Sequence, residues 1–286
     1  MKTYFKIILI TLFLATQSLL YGKDLSNAIV DANLKAAEKI VKSDPASVNK
    51  KIPEKGYPLI LAVSKLRVDI VKLLLDNGAD INVIDPETKE NIVFRLLDQP
   101  QTTENLKKAI QIISLLAAKH ADFNVINAEN MTPLYAFSTG RQSLNSLDTK
   151  MLFLQALIDA GAKTDIKLKR DLPLLNAVLM KVLKSNPDHI EVAKLLIKNG
   201  VPLNEKSKKN AECSKMTSVV ENDTPLLIVI KREGFQTTDK SEMIKILVEN
   251  GAKKTARNKK KETPKKLIGH KSPYYDALYK TKVKKH

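Results

Sequence analysis

Residues 71–82 read VKLLLDNGADIN, and the phrase returns five more times, altered but recognisable, along the 286-residue chain. KIVKSDPASVN closes at Asn49, SLLAAKHADFN at Asn124, QALIDAGAKTD at Asp165, AKLLIKNGVPLN at Asn204 and KILVENGAKKT at Thr255. The closing positions lie 33, 42, 41, 39 and 51 residues apart, a spacing that belongs to stacked supersecondary units.

Within the phrase, Val71, Leu74 and Leu75 fall on one face at helical spacing. Gly78 follows where a helix needs a residue that tolerates the left-handed region, and Gly161, Gly200 and Gly251 repeat that stop. His120 holds the same place in its unit, and Pro45 holds it in the first. A second marker precedes the phrase: YPLILAV at Pro58, TPLYAFS at Pro133, LPLLNAV at Pro173, TPLLIVI at Pro225 and TPKKLIG at Pro264, with Ile92 of NIVFRLL where Pro is expected. Proline loses nothing at the first helical position because its missing N–H had no partner there, and Thr132, Thr224 or Thr263 can cap the exposed amides. Each unit therefore reads as helix, turn, helix and a Gly-terminated exit through a short extended loop.

The order of the two markers resembles the ankyrin repeat, most clearly in GYPLILAVSKLRVDIVKLLLDNGADIN (residues 56–82), and the resemblance runs from about Leu25 to Lys280. It implies an all-α fold: an ankyrin-like helical repeat solenoid of helix-turn-helix units with short hairpin loops and capping units at both ends. The expected organisation is one repeat domain over 23–286, with units near 25–50, 51–84, 85–126, 127–166, 167–206 and 207–257 and a C-terminal cap at 258–281. Opener to closer takes 24 residues in the unit from Pro58 to Asn82 but 30 to 32 in the next four. The surplus lies between the two helices, in DQPQTTENLKK (98–108) and RQSLNSLDTK (141–150), so helices or joining loops are lengthened on that edge. A further insertion, EKSKKNAECSKMTSVVEND (205–223), lengthens one hairpin loop.

Lys2 and Lys6 precede an apolar run, Ile7–Leu20, that is too short to span a bilayer comfortably and has the form of a secretory signal over 1–22. Cleavage is expected after Gly22, with Ser18 as the alternative, and an uncleaved anchor is the rival reading. No transmembrane segment is expected in the mature chain. The only cysteine is Cys213, so no intramolecular disulfide can form, and an exported chain of this kind suits a periplasm better than a disulfide-dense extracellular setting.

No phosphate-binding loop, GxSxG, HExxH or CxxC occurs, and the four histidines are scattered, with His189 and His270 read as solvated residues at helix starts or turns. The expectation is no enzyme, no cofactor and no metal site. The net charge is +17, and residues 253–286 hold 13 Lys or Arg against Glu262 and Asp276. That excess can attract an anionic envelope component, whether lipid headgroups or acidic polymer. Nucleic acid is disfavoured by the export signal and by six Arg against 42 Lys, because arginine is the residue that forks onto phosphate and bases.

Stacked units of the ankyrin kind present their loop tips and first helices along one groove, so the resemblance implies a non-enzymatic scaffold that binds another protein in the cell envelope through the concave face and hairpin tips. Similarity to exported bacterial ankyrin-like proteins further implies support of a periplasmic enzyme or a stress response. The identity of the partner is open, and a monomer is favoured. Tip positions supply the candidate contacts: Asp85, Glu87, Lys89 and Glu90; Asn127 and Glu129; Lys167, Lys169 and Arg170; Arg257, Lys259, Lys260 and Lys261. Their charge changes along the chain, from minus two in DPETKE to plus two in KLKRD and plus four in RNKKK.

Overall fold

A computed structural model describes residues 25–53, 55–97, 99, 102–140, 146–166, 172–182, 188–208 and 221–284. Among them there is no β-strand; one isolated bridge joins Ile52 and Gly56. The chain divides into two compact units, 1–122 and 123–286. The signal segment 1–22, the tip residues Lys167, Lys169 and Arg170, and Cys213 lie outside the described residues.

In the first unit, residues 25–30 are helical and are followed by α1 (Leu34–Ser43), a 3-10 turn (Pro45–Asn49), α2 (Pro58–Ser64), α3 (Val68–Asp76), α4 (Ile92–Leu96) and α5 (Thr103–Ala118). The short α2 packs against the short α4, while the longer α1, α3 and α5 form a second row. Arg67, which opens α3, donates from Nε and Nη2 to the carbonyls of Ile29 (3.2 Å) and Val30 (2.6 Å) at the end of the preceding repeat's first helix.

The second unit repeats the plan: α6 (Pro133–Ser138), α7 (Leu147–Asp159), α8 (Leu174–Met180), α9 (Asp188–Lys198), α10 (Pro225–Lys231), α11 (Thr237–Glu249), α12 (Pro264–Leu267) and α13 (Tyr275–Tyr279). The short helices α6, α8, α10 and α12 each touch the next in line, and so do the outer helices α7, α9, α11 and α13. Arg232 does here what Arg67 does in the first unit, donating from Nε (3.2 Å) and Nη2 (3.0 Å) to the carbonyl of Val182. Gly234 sits so close to that carbonyl that any Cβ would collide with it.

The sequence expectation of an extended edge resolves into two parts. The loop between paired helices grows from residues 65–67 after α2 to 232–236 after α10, and the second helices lengthen from the nine residues of α3 to 16 in α5 and 13 in α7 and α11. The first helices stay short and are buried nearly everywhere: every residue of α6 and α8, and Pro225 through Val229 of α10. Apolar side chains of this kind contribute about 1.5–3 kcal/mol each when fully buried, so the row of first helices is the core of each unit. They leave little side-chain surface exposed.

The recurring closer has a concrete job. Asn49 Nδ2 donates to the carbonyl of Gly78 (2.9 Å) while its Oδ1 accepts from the amide of Asp80 (2.7 Å). Asn124 bridges Gly161 and Lys163 in the same way (3.0 and 2.8 Å), and Asn204 bridges Gly251 and Lys253 (3.2 and 2.8 Å). One amide side chain thus ties each closer to the Gly turn of the following repeat, a bond that needs a donor and an acceptor together. Asp165 lacks the N–H for it, and Asn82 is exposed. The glycines of those turns are left-handed, with φ from 77° to 103°, and His120 adopts φ 59° in the same place.

Thr132 and Thr263 cap their helices as expected, accepting from the amides of Tyr135 and Lys266 (both 3.2 Å), and Asn91 caps α4 through the amide of Val93. Thr224 does not: its Oγ1 is buried without a partner, although its backbone (φ −87°, ψ 164°) matches that of Thr132 (φ −85°, ψ 163°). Replacing Thr132 by Val should lower stability by about 1 kcal/mol, as loss of a cap does, whereas Thr224→Val should change it by less than about 0.5 kcal/mol; urea denaturation of the two variants measures the contrast.

Candidate functional site

Three hairpin tips share one wiring. The amide of Asp85 donates to the carbonyl of Glu90 (2.8 Å) and that of Lys89 to the carbonyl of Asp85 (2.9 Å); Asn127 with Met131 and Asn130 repeats this (3.0 and 2.9 Å), as does Asn258 with Glu262 and Lys261 (3.2 and 3.0 Å). In each tip the leading Asp or Asn turns its side-chain oxygen onto backbone amides: Asp85 onto Glu87 and Thr88, Asn127 onto Met131, Asn258 onto Glu262. The residue at the bend is left-handed, Lys89 at φ 58°, Asn130 at 61° and Lys261 at 59°. Hydrogen bonds from Thr88, with Arg95 Nη2 at 3.5 Å, hold the Asp85 carboxyl below its ordinary range.

This wiring sorts the candidate contacts. Asp85 is taken up inside its turn, and Glu90 and Asn127 are only 6% and 5% exposed, so these three shape the tips. Glu87, Lys89, Glu129, Arg257, Lys260 and Lys261 are exposed. Lys259 is exposed too but pairs with Glu221 at 2.7 Å.

Beneath the basic tip lies a polar network that the sequence does not announce. The Asp223 carboxylate, 0% exposed, accepts from Asn258 Nδ2 through Oδ1 (2.8 Å) and pairs with Lys231 Nζ through Oδ2 (2.9 Å). Lys231 also reaches Glu262 Oε2 (3.2 Å), which accepts from Asn258 Nδ2 as well (2.6 Å). Asn258 first, then Lys231, keep the Glu262 carboxyl below its ordinary range. On the other side, Asn176 Nδ2 donates to Ser207 Oγ (2.8 Å) and the carbonyl of Asp223 (3.3 Å), and Ser207 and Asp223 are joined by a backbone bond of 3.0 Å. Both feet of the 205–223 insertion and the base of the 258–262 tip therefore hang on one buried, paired set, the arrangement in which buried charge is tolerated. A basic tip fixed in this way presents its ammonium groups from a rigid base.

A second buried polar group sits between α7 and α9. His189, expected to be solvated, has both ring nitrogens enclosed and unpartnered. Burial, with Lys150 and Lys181 nearby and only Asp188 opposing them, pushes its pKa down to about 4 from 6.5. Burial likewise holds Lys150 below its ordinary value. Among the described residues no set of three His, Cys, Asp or Glu stands together as a metal site, and no helix is long and apolar enough to cross a membrane.

Residues 57–86 match the ankyrin repeat family. The fold is similar to the crystal structure of the ankyrin repeat domain of Bcl-3, a member of the IκB family (TM-score 0.61, 20% identity, covering 89% of this chain and 97% of that one). It is also similar to an ankyrin repeat domain from Acinetobacter baumannii (0.55, 18%, 80% and 98%) and to that of human ASB11 (0.51, 18%, 92% and 99%). A search of curated protein sequences gave no match. Residues 57–86 thus carry an ankyrin repeat, and the described residues adopt the all-helical repeat fold that the two markers imply. Domains of this fold are typically non-enzymatic modules that bind other proteins.

His189 supplies a test of the packing around α9. A histidine kept neutral by the folded state adds stability that is present above its unfolded pKa of 6.5 and is lost as pH falls toward about 4. The urea midpoint should drop between pH 6.5 and 4, and His189→Phe should drop less over the same window, with carboxylate losses common to both proteins. Parallel curves for the two would place the imidazole in water.

Proposed function

We propose that the chain is a non-enzymatic protein-interaction scaffold of the cell envelope, and that the basic tip at residues 257–261 contacts an acidic patch on the partner. The observation that carries this reading is the Asp223–Lys231–Glu262–Asn258 network, centred on buried Asp223 and Asn258, which fixes the base of the tip while Arg257, Lys260 and Lys261 remain exposed. A tip held rigid loses little further freedom on binding, and like charge at its end steers a complementary surface toward it. The near-complete burial of the first helices directs recognition to the tips rather than to a groove floor.

Placement in the envelope rests on the sequence of the first 22 residues, with Lys2 and Lys6 ahead of the apolar run Ile7–Leu20. Chemical crosslinking of the full chain in its native envelope, followed by identification of the captured protein, tests the scheme. Lys260→Ala with Lys261→Ala should reduce capture roughly tenfold while the fold is kept, because both side chains are exposed; an unchanged circular dichroism spectrum checks this. Undiminished capture by the double variant would remove the tip from the interface.

A further inference from the structure

The C-terminal cap carries a surface that neither the repeat stack nor the hairpin tips explain. Tyr279 Oη donates to the carbonyls of Lys265 (2.9 Å) and Ile268 (3.3 Å), which folds α13 back onto α12. The Tyr275 ring lies against both His270 and Tyr279, with centroids 4.6 and 4.4 Å away. Lys254 Nζ donates to the carbonyl of Thr281 (2.9 Å), and its pKa is held down by burial and then by the Lys265 charge, so the two ammonium groups feel one another.

Positive charge accumulates here with little to offset it. Residues 263–284 contain six lysines and one acid, Asp276, which pairs with Lys280 at 2.9 Å, while Lys284 reaches back to Glu249 at 3.0 Å. Lys265, Lys266 and Lys271 are exposed, and no carboxylate among the described residues pairs with them. Two aliphatic side chains of the same cap are turned to solvent, Leu267 at 39% and Val283 at 56% exposure. Uncompensated lysines fit an anionic partner, and exposed aliphatics beside amphipathic Tyr and His rings fit the boundary between headgroups and acyl chains. A dissolved polyanion would gain nothing from Leu267 or Val283. A base-stacking polymer is disfavoured because the Tyr275 ring is already engaged with His270 and Tyr279, and because lysine supplies point charge rather than the fork that reads phosphate and bases.

We propose that the C-terminal cap docks on the surface of a bilayer containing anionic lipid, through Lys265, Lys266 and Lys271 with Leu267 and Val283 entering the interface. None of these residues belongs to the 257–261 tip, so variants of the two sets test the two assignments independently.

Co-sedimentation of the full chain with phosphatidylcholine vesicles, with and without phosphatidylglycerol, tests it. Binding should require phosphatidylglycerol and weaken as salt rises, and neutralising Lys265, Lys266 and Lys271 to Ala should reduce it by about fivefold per lysine. Leu267→Ser with Val283→Ser should reduce vesicle binding while leaving any binding to soluble polyglutamate unchanged. The apolar segment Ile7–Leu20 is common to all of these proteins, so differences between them report on the cap. A matched control, Lys35, Lys39 and Lys42 to Ala on the exposed side of α1, should bind like the parent. Three results would each overturn the proposal: binding that ignores phosphatidylglycerol, an equal loss in the α1 control, or full vesicle affinity in the Leu267/Val283 variant with polyglutamate as competitor. All the altered side chains are exposed, so an unchanged circular dichroism melt is expected and checks that each variant is folded.

Discussion

Each unit depends on the burial of short apolar helices between neighbours of their own kind. A helix of six or seven residues is far below the length at which a helix holds by itself in water, so α6, α8 and α10 exist only because adjoining repeats shelter them. This dependence explains why the outer helices can vary in length while the inner ones cannot. The outer row faces solvent on one side and can grow by a turn or two; the inner row is enclosed, and extra residues there would have nowhere to go.

Two polar devices set the spacing that the apolar contacts alone would leave loose. The closing asparagines Asn49, Asn124 and Asn204 hold the Gly turn of the next repeat at a fixed distance, using both ends of one amide group. On the opposite edge, Arg67 and Arg232 reach across to the carbonyls at the end of the preceding first helix. Together they bond backbone groups at helix ends and turns, and they tie neighbouring repeats at both margins. The buried Asp223–Lys231 pair extends the same logic to the last hairpin, where a charged network joins a long insertion to the tip after it.

Much of this was legible in the sequence because its causes are local. Proline at a helix start, glycine at a left-handed stop and apolar residues three and four apart each act within a few residues, and the helix pairs follow from them. The asparagine bridge was visible only as a recurring letter, since its partner lies about 30 to 50 residues further on, and Asn82 shows that the letter alone does not make the bond. Thr224 does not cap its helix although the same Thr-Pro pair stands there as at Thr132, a difference that the sequence pattern does not carry. Among the tip candidates, Asp85 and Asn127 have the composition of contact residues but are the side chains that make the turns. The network below the basic tip and the enclosed His189 were hidden because they join residues from different repeats, and an isolated Asp or His in the sequence gives no sign of what will be folded over it.

Amide hydrogen–deuterium exchange of the second unit tests the central dependence most directly. If the first helices form its core, the amides of Ala177 to Met180 in α8 should be among the slowest to exchange, well behind those of the 258–262 tip and the short terminal helices α12 and α13. Exchange in α8 as fast as in those peripheral segments would show that the neighbouring repeats do not shelter it, and would contradict the stacked-core account.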